Sequence, residues 1–334
     1  MAPSVSIILL NWNTGDETIE CLKSLYNIEY DNYEIIAVDN DSHDDSVEKI
    51  KEYAAGERTV SSPFVPEEFT ATPIDIETYE IDEAMSRSRT QMEQLGGTLT
   101  LIENDTNAGF PGGCNIGMEY AIKKDVDYVL LLNNDVVVDE EFLTHLVEPA
   151  EADSSVGIVG SKIHYYDDPD RIQSIGGDMR WWIATPIDYG SNDTDTGEYD
   201  EIKERDFVWA TSQLIKTELI DEIGGLDETF FFGVEEYDYC ARAKNAGYRV
   251  LFSPESKIWH KGNASGKKLS EYPDVADTIN SKKGFLDYKF IYALLRKRFP
   301  PGLVIVPFVL RYFSVVYRGV RRRAGIERSN RENI

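Results

Sequence analysis

Five short stretches of this 334-residue chain carry side chains that could do chemistry together. In Val38-Asp39-Asn40-Asp41-Ser42-His43-Asp44-Asp45-Ser46, a carboxylate closing an apolar run can accept hydrogen bonds from a nucleobase imide or a ribose hydroxyl. Asp39 is placed for that work because it stands before any helix can begin, whereas Asp44, Asp45 and Ser46 read as the cap of the next helix. In Leu130-Leu131-Leu132-Asn133-Asn134-Asp135 an apolar strand delivers two amides and a carboxylate. Hard cations such as Mg²⁺ or Mn²⁺ take oxygen ligands and are commonly held by one or two carboxylates plus substrate phosphates. Asp135 could anchor such an ion on a diphosphate, although a strand-ending turn alone would explain the same letters.

Asn107-Ala108-Gly109-Phe110-Pro111-Gly112-Gly113-Cys114-Asn115-Ile116-Gly117 opens a helix with four glycines. Bare backbone there lets N–H groups approach a ligand, and a helix start favours anions; tight packing is the plainer use of the same residues. Phe230-Phe231-Phe232-Gly233-Val234-Glu235-Glu236-Tyr237-Asp238-Tyr239-Cys240-Ala241-Arg242 runs three aromatic rings directly into two acids. Apolar neighbours raise a carboxyl pKa and suit it to general-base work. Glu236 shares a helical stripe with Cys240 and Ala243, while Glu235 lines up with Asp238 and Arg242, so one acid of the pair should face a given site. Asp238 and Arg242 form a well-oriented i,i+4 pair. Finally, His260 ends the run Ile258-Trp259-His260 and precedes Lys261 and a small polar loop, a fair environment for a metal or a phosphate.

The elements that must position these groups follow from periodicity. Val5–Leu10 is a continuous apolar run of strand length, as in strands buried on both faces, and Glu34–Val38, Thr98–Ile102 and Asp127–Leu132 read as further strands. Asp16–Tyr26, Ser46–Tyr53 and Gly113–Lys123 carry helical stripes between them. That alternation predicts an α/β fold with a mainly parallel, Rossmann-like sheet, in which ligands bind outside the carboxyl ends of the strands. The acidic, proline-bearing segment 56–97 reads as a surface insertion with one helix near 77–95. The glycine- and tryptophan-rich stretch after 163 predicts a smaller antiparallel region, and two short strands are expected at 250–252 and 257–260. The catalytic domain should span 1–268, and 269–334 should be a helical, basic amphipathic segment.

Composition limits the partners. Thirty-four basic residues against sixty acidic give a net charge of −26, which argues against nucleic acid, whose phosphates want a basic face. An acidic, solvated surface suits high salt, where repulsion is screened; a halophilic source is the expectation, and unfolding midpoints that rise toward molar salt would bear it out. The charge is uneven: from Lys289 onward there are eleven Lys or Arg and two Glu, against 23 basic and 58 acidic residues before it. Apolar residues alternate with arginines over 300–323, the pattern of a segment lying on an anionic membrane surface. The alternative is a terminal helix packed on the acidic domain. No run approaches the ~20 apolar residues of a membrane span, and three dispersed cysteines form neither a zinc pattern nor a disulfide framework. A cytoplasmic protein with peripheral contact to the inner membrane face is expected.

Taken in order, the five stretches resemble the family 2 glycosyltransferases of GT-A fold, especially their rhamnosyltransferase-like branch, over residues 4 to 265 without the insertion. The resemblance implies a nucleotide-sugar donor, a saccharide or lipid-linked acceptor and a divalent cation. It implies that Asp39 and Asp41, with Asn11 and Asn13 of the opening Asn11-Trp12-Asn13, border the nucleotide. Asn107, Gly109, Gly112 and Asn115 match the family's glycine-rich motif with one extra residue at Gly113 or Cys114. Asn133-Asn134-Asp135 matches its DxD-like motif, with Asn134 toward the donor and Asp135 as metal ligand. His260 and Ser265 match its final His-x-x-x-x-Ser, with His260 as a second ligand. The family's base is the Asp of a Glu-Asp pair; here Glu236 stands in that place, with Glu235 and Asp238 beside it. Trp181, Trp182 and Trp209 are candidate acceptor contacts. The reaction implied is inverting transfer in the synthesis of a cell-surface glycan or glycoprotein. Two other readings share the nucleotide-binding sheet: a sugar nucleotidyltransferase, which should carry a basic glycine-rich loop before Gly56, and a non-catalytic nucleotide- or glycan-binding module, which would bind donor without turning it over.

Overall fold

A computed structural model describes residues 2–67, 69, 73–87, 98–183, 185–262, 292–300, 302–307 and 309–310. The chain begins as β1 (Val5–Asn11), α1 (Gly15–Leu25), β2 (Tyr33–Asn40) and α2 (Ser46–Ala54). β3 (Ile76–Glu80), α3 (Ile81–Ser86), β4 (Leu99–Asn104), α4 (Gly109–Lys123), β5 (Tyr128–Asn133), β6 (Val136–Val138) and α5 (Phe142–Ala152) follow. Next come β7 (Val156–Tyr165), β8 (Ile172–Ser174), β9 (Gly177–Arg180), β10 (Thr185–Asp188), β11 (Lys203–Glu204) and β12 (Ser212–Lys216). α6 (Thr217–Ile223), α7 (Glu235–Asn245) and β13 (Arg249–His260) complete the series.

One eleven-stranded sheet runs β11-β13-β7-β12-β5-β1-β2-β4-β3, with β6 paired to β13 and β8 to β7; β9 and β10 form a separate two-stranded sheet. β3, β4, β2, β1 and β5 are mutually parallel neighbours. β12 is antiparallel to both β5 and β7, so β7, and β13 parallel to it, again point the way β5 does. The carboxyl ends of β1, β2, β5, β7 and β13 therefore lie along one rim. Chain order reverses between β1 and β5, which is where a crevice opens in sheets of this kind.

The apolar runs are continuous because helices cover both faces. Ile7, Leu9, Leu130 and Leu132 pack with Leu22, Phe142 and Leu146 on one side. Ile8, Ile36 and Leu131 pack with Met118, Tyr120 and Tyr239 on the other. Each such side chain fully buried contributes roughly 1.5–3 kcal/mol relative to exposure, so a one-residue register slip is strongly disfavoured.

Two expectations change. The helix foreseen near 77–95 begins only at Ile81, because residues 76–80 alternate and pair in parallel with β4 as an edge strand; 88–97 lie outside the described residues. The two short strands at 250–252 and 257–260 are one strand, interrupted by a register shift between Ser253 and Lys257, where Pro254 cannot donate to the ladder.

The chain divides into two compact units, 1–177 with 188–273, and 178–187 with 274–334. In the second, Leu295 and Val304 form a small core with Phe299. Leu303 and Ile305 are exposed there, and most of the basic tail lies outside the described residues. No helix among the described residues is long and apolar enough to cross a membrane. Cys21, Cys114 and Cys240 are buried free thiols.

Candidate active site

The site is built at the rim from strand ends in register. Asn11 pairs with Asp39, and Leu10 with Asn133. Asn11 Nδ2 donates to Asp39 Oδ1 at 2.6 Å, and Ser42 donates to both carboxylate oxygens, from its Oγ to Oδ1 at 2.6 Å and from its N–H to Oδ2 at 3.0 Å. Burial raises the Asp39 pKa, and these hydrogen bonds oppose the rise. Asn13 and Asp41 both adopt left-handed backbone, at φ 54° and 66°, a conformation that Asn and Asp tolerate better than most residues. The Asn13 side-chain Oδ1 accepts from the His43 N–H at 2.7 Å, while its buried Nδ2 has no partner among the described residues.

The amide of Asn134 knits β5 to this array. Its Nδ2 donates to Thr14 Oγ1 and Thr18 Oγ1, both at 2.7 Å, and Thr18 Oγ1 donates on to Asn11 Oδ1 at 2.8 Å. The next residue, Asp135, is 6% exposed, and its Oδ1 stands 3.1 Å from His260 Nε2. That approach is made by β6, whose Val136 pairs with His260.

The Asp135–His260 pair suits a divalent cation. His260 Nδ1 lies 2.7 Å from Gln173 Oε1; donating there, a neutral ring turns its Nε2 lone pair toward the Asp135 carboxylate. Two acceptors facing each other need a proton or a cation between them. Adjacent ligands of an octahedral ion at about 2.1 Å stand about 3.0 Å apart, close to the spacing seen. No cluster of three or more His, Cys, Asp or Glu that could hold a metal occurs among the described residues, so a substrate diphosphate would have to complete the shell.

The glycine-rich stretch is packed against the loop that leads into α7. Gly109 has φ +73°, and a Cβ there would sit 2.5 Å from the Phe231 carbonyl oxygen, which accepts from the Phe110 N–H at 3.0 Å. The start of α4 is thus locked to the loop leading into α7. Asn107 Oδ1 accepts from the Gly109 N–H and from Asn40 Nδ2. A Cβ on Gly112 would strike that of Ala108. Asn115 binds the 226–228 loop through Leu226 and Glu228.

That lock presents α7. The Glu235 carboxylate turns back to accept from the Val234 N–H at 2.9 Å. Asp238 accepts from Arg242 Nε at 2.9 Å, and the same guanidinium donates to the carbonyls of Ile223 and Gly225. Glu236, 4% exposed, has neither tie: burial first, then the Glu235 charge, pushes its carboxyl up to about 8, with the Tyr237 side chain hydrogen-bonded to it. Tyr237 packs edge-on against Phe207 and Trp209. Trp209 precedes Thr211, whose carbonyl accepts from the Asn133 N–H at 3.0 Å, so α7 meets the rim beside β5.

Sequence reading passed over Asp188. Its carboxylate accepts from Ser174 Oγ at 2.6 Å and from Trp209 Nε1 at 3.1 Å, burial pushes it up to about 6, and its charge bears on Glu236. Nothing periodic marks a short hairpin strand, so only the fold reveals it. Trp181 and Trp182 belong to the second unit, where Arg298 lies over the Trp181 ring and Trp182 packs on Phe299. Ser265 lies outside the described residues.

The family model described as "Glycosyltransferase like family 2" matches residues 69–273, and "Glycosyl transferase family 2" matches residues 6–62. Among curated proteins, the chain is 29% identical over 147 residues to the uncharacterized protein y4gI of Sinorhizobium fredii, covering 42% of this chain and 16% of that one. It is 23% identical over 225 residues to the dTDP-rhamnosyl transferase RfbF of Shigella flexneri, covering 63% and 67%. It is 22% identical over 156 residues to the low-salt glycan biosynthesis hexosyltransferase Agl10 of Haloferax volcanii, covering 45% and 47%. The chain thus spans less than half the length of two of these three relatives. Among solved structures, the mannosyltransferase PcManGT of Pyrobaculum calidifontis, in complex with GDP-Man and Mn²⁺, superposes with a TM-score of 0.53 at 14% identity, covering 93% of this chain and 70% of that one. The fold is GT-A.

Proposed function

We propose, for a chain that belongs to glycosyltransferase-like family 2, that it transfers a hexosyl or deoxyhexosyl group from a nucleotide-diphosphate sugar to a saccharide or lipid-linked acceptor, with inversion. The observation that carries this reading is the alignment of Asn11, Asp39 and Asn134 with the Asp135–His260 pair along one rim of the sheet. Such a row can hold a nucleoside at one end and a metal-bound diphosphate at the other. RfbF and Agl10 support the sugar class and a role in glycan synthesis.

Asn11, Asn13, Asp39 and Asp41 bind the nucleoside, with the unpartnered Asn13 Nδ2 as a ready donor. Asp135 and His260 hold a divalent cation, Mn²⁺ or Mg²⁺, a reading that the Mn²⁺ of the structural neighbour supports. When bound, the cation stabilises negative charge on the departing diphosphate. Glu236 takes the proton from the acceptor hydroxyl as its oxygen attacks the anomeric carbon. The bond to the diphosphate oxygen breaks, and its electron pair leaves with the nucleoside diphosphate.

Nucleotide release from a panel of nucleotide sugars, with and without Mn²⁺, tests the reading. Metal-dependent release that Glu236→Gln abolishes is expected; donor binding with no release from any sugar would leave a binding module instead. The exposed Leu303, Ile305, Val306, Val309 and Leu310 support peripheral contact of residues 300–323 with the inner face of a membrane, the cytoplasmic side on which a lipid-linked acceptor would be met. Flotation with anionic vesicles, with and without residues 300–334, tests that contact; equal binding would remove it.

A further inference from the structure

Trp209 packs against the cores on both faces of the sheet beside the helix that carries the base, yet keeps part of its surface exposed. It is half-buried, and its two ring neighbours, Phe207 and Tyr237, meet it edge-on at 6.3 Å and 6.2 Å. Among the described residues no ring stacks on its face. Its N–H is committed to Asp188 at 3.1 Å, and Asp188 is itself held by Ser174 Oγ at 2.6 Å and by the Tyr189 backbone. The indole plane is therefore fixed by a charge-assisted hydrogen bond braced from behind. Tyr237, on its other edge, hydrogen-bonds to Glu236.

A rigid, half-exposed indole beside a general base has a natural complement. Pyranose rings carry an apolar C–H face and a polar rim, and an aromatic face whose polar tip is already satisfied offers contact area at little entropic cost. A strut needed only to fasten the hairpin would not have to hold an ionisable group in a half-buried position, where its charge costs free energy.

Resting on the transferase reading above, we propose that Trp209 is the platform on which the acceptor's sugar ring lies, and that Asp188 is the positioning residue that sets the plane of that platform. The acceptor group entering the site is then a saccharide ring, and not a lipid phosphate or a protein side chain.

The test compares transfer to free hexoses and p-nitrophenyl hexosides with hydrolysis of the donor by water, in wild type, Asp188→Ala, Asp188→Asn and Trp209→Phe. In Asp188→Ala the ratio of transfer to hydrolysis should fall about 10-fold, the equivalent of roughly 1.4 kcal/mol, chiefly through a raised acceptor KM. Asp188→Asn, whose amide oxygen can still accept from the indole, should recover most of the ratio. Trp209→Phe keeps a ring but loses the N–H and should fall between them; it also decides the matter if Asp188→Ala does not fold. An unchanged ratio in both Asp188→Ala and Trp209→Phe, or equal loss of hydrolysis and transfer, overturns the inference while leaving a transferase. Absence of nucleotide release in the wild type would overturn the transferase reading and this one with it.

Discussion

Asp135 Oδ1 and His260 Nε2, brought from the ends of β5 and β13, stand 3.1 Å apart, each held from behind by the ladder between β6 and β13. A pair of acceptors so placed predicts metal-dependent donor binding. Asp135→Ala and His260→Ala should each weaken nucleotide-sugar binding about 10–100-fold in the presence of Mn²⁺, measured by calorimetry, and change it little without the ion. Equal weakening with and without Mn²⁺ would show that the two residues bind the sugar and not a metal.

Glu236, pushed up to about 8 by burial and by Glu235, makes turnover pH-dependent. A base works only when ionised, so kcat/KM should rise with pH through about 8. Glu236→Gln should cost about 100-fold or more in kcat with donor affinity retained, and its residual rate should lose the limb near 8. Turnover close to wild type would move the role to Glu235 or Asp238.

The same acid should tax the fold. A carboxyl with a raised pKa in the native state binds its proton more tightly folded than unfolded, so its contribution to stability is greatest at low pH and is lost as pH climbs from the usual carboxylate range toward 8. Glu236→Gln should therefore melt a few degrees above wild type at pH 9, on the order of 1–2 kcal/mol for a chain of this size, and the gap should close near pH 5. A constant gap across that range would refute the linkage.

Gly109 is where α4 and the loop before α7 touch. Gly109→Ala would place a methyl 2.5 Å from the Phe231 carbonyl at φ +73°, which should destabilise by about 1–3 kcal/mol and lower kcat by displacing Glu236. Thermal melts and turnover report the two effects; a neutral result in both would mean the loop carries no positional information.

The rim residues were legible in the sequence where chemistry follows a local rule. Asp39 and Asp135 each follow an apolar run, and strand periodicity alone sends them to the carboxyl edge. His260 was legible as a strand end, but its partner was not, because the β6–β13 ladder joins segments far apart in the chain. Asn107, Gly109 and Asn115 match a ligand-binding motif by letter, whereas the hydrogen bonds and packing by which this stretch ties α4 to the 226–231 loops show only in three dimensions. A glycine used for close approach to backbone is indistinguishable by letter from one used for approach to a phosphate. Asp188 left no trace at all, since its importance lies in Trp209 and Ser174, which are neighbours only in three dimensions.

The short ladder of Val136–Val138 against Ile258–His260 acts as a buckle closing the turn that carries Asp135 onto the far end of the sheet. That ladder is closed by backbone pairing within the protein itself, so the Asp135 turn is held in place without an ion. The amide protons of Val137 and Trp259 should then exchange as slowly without Mn²⁺ as with it.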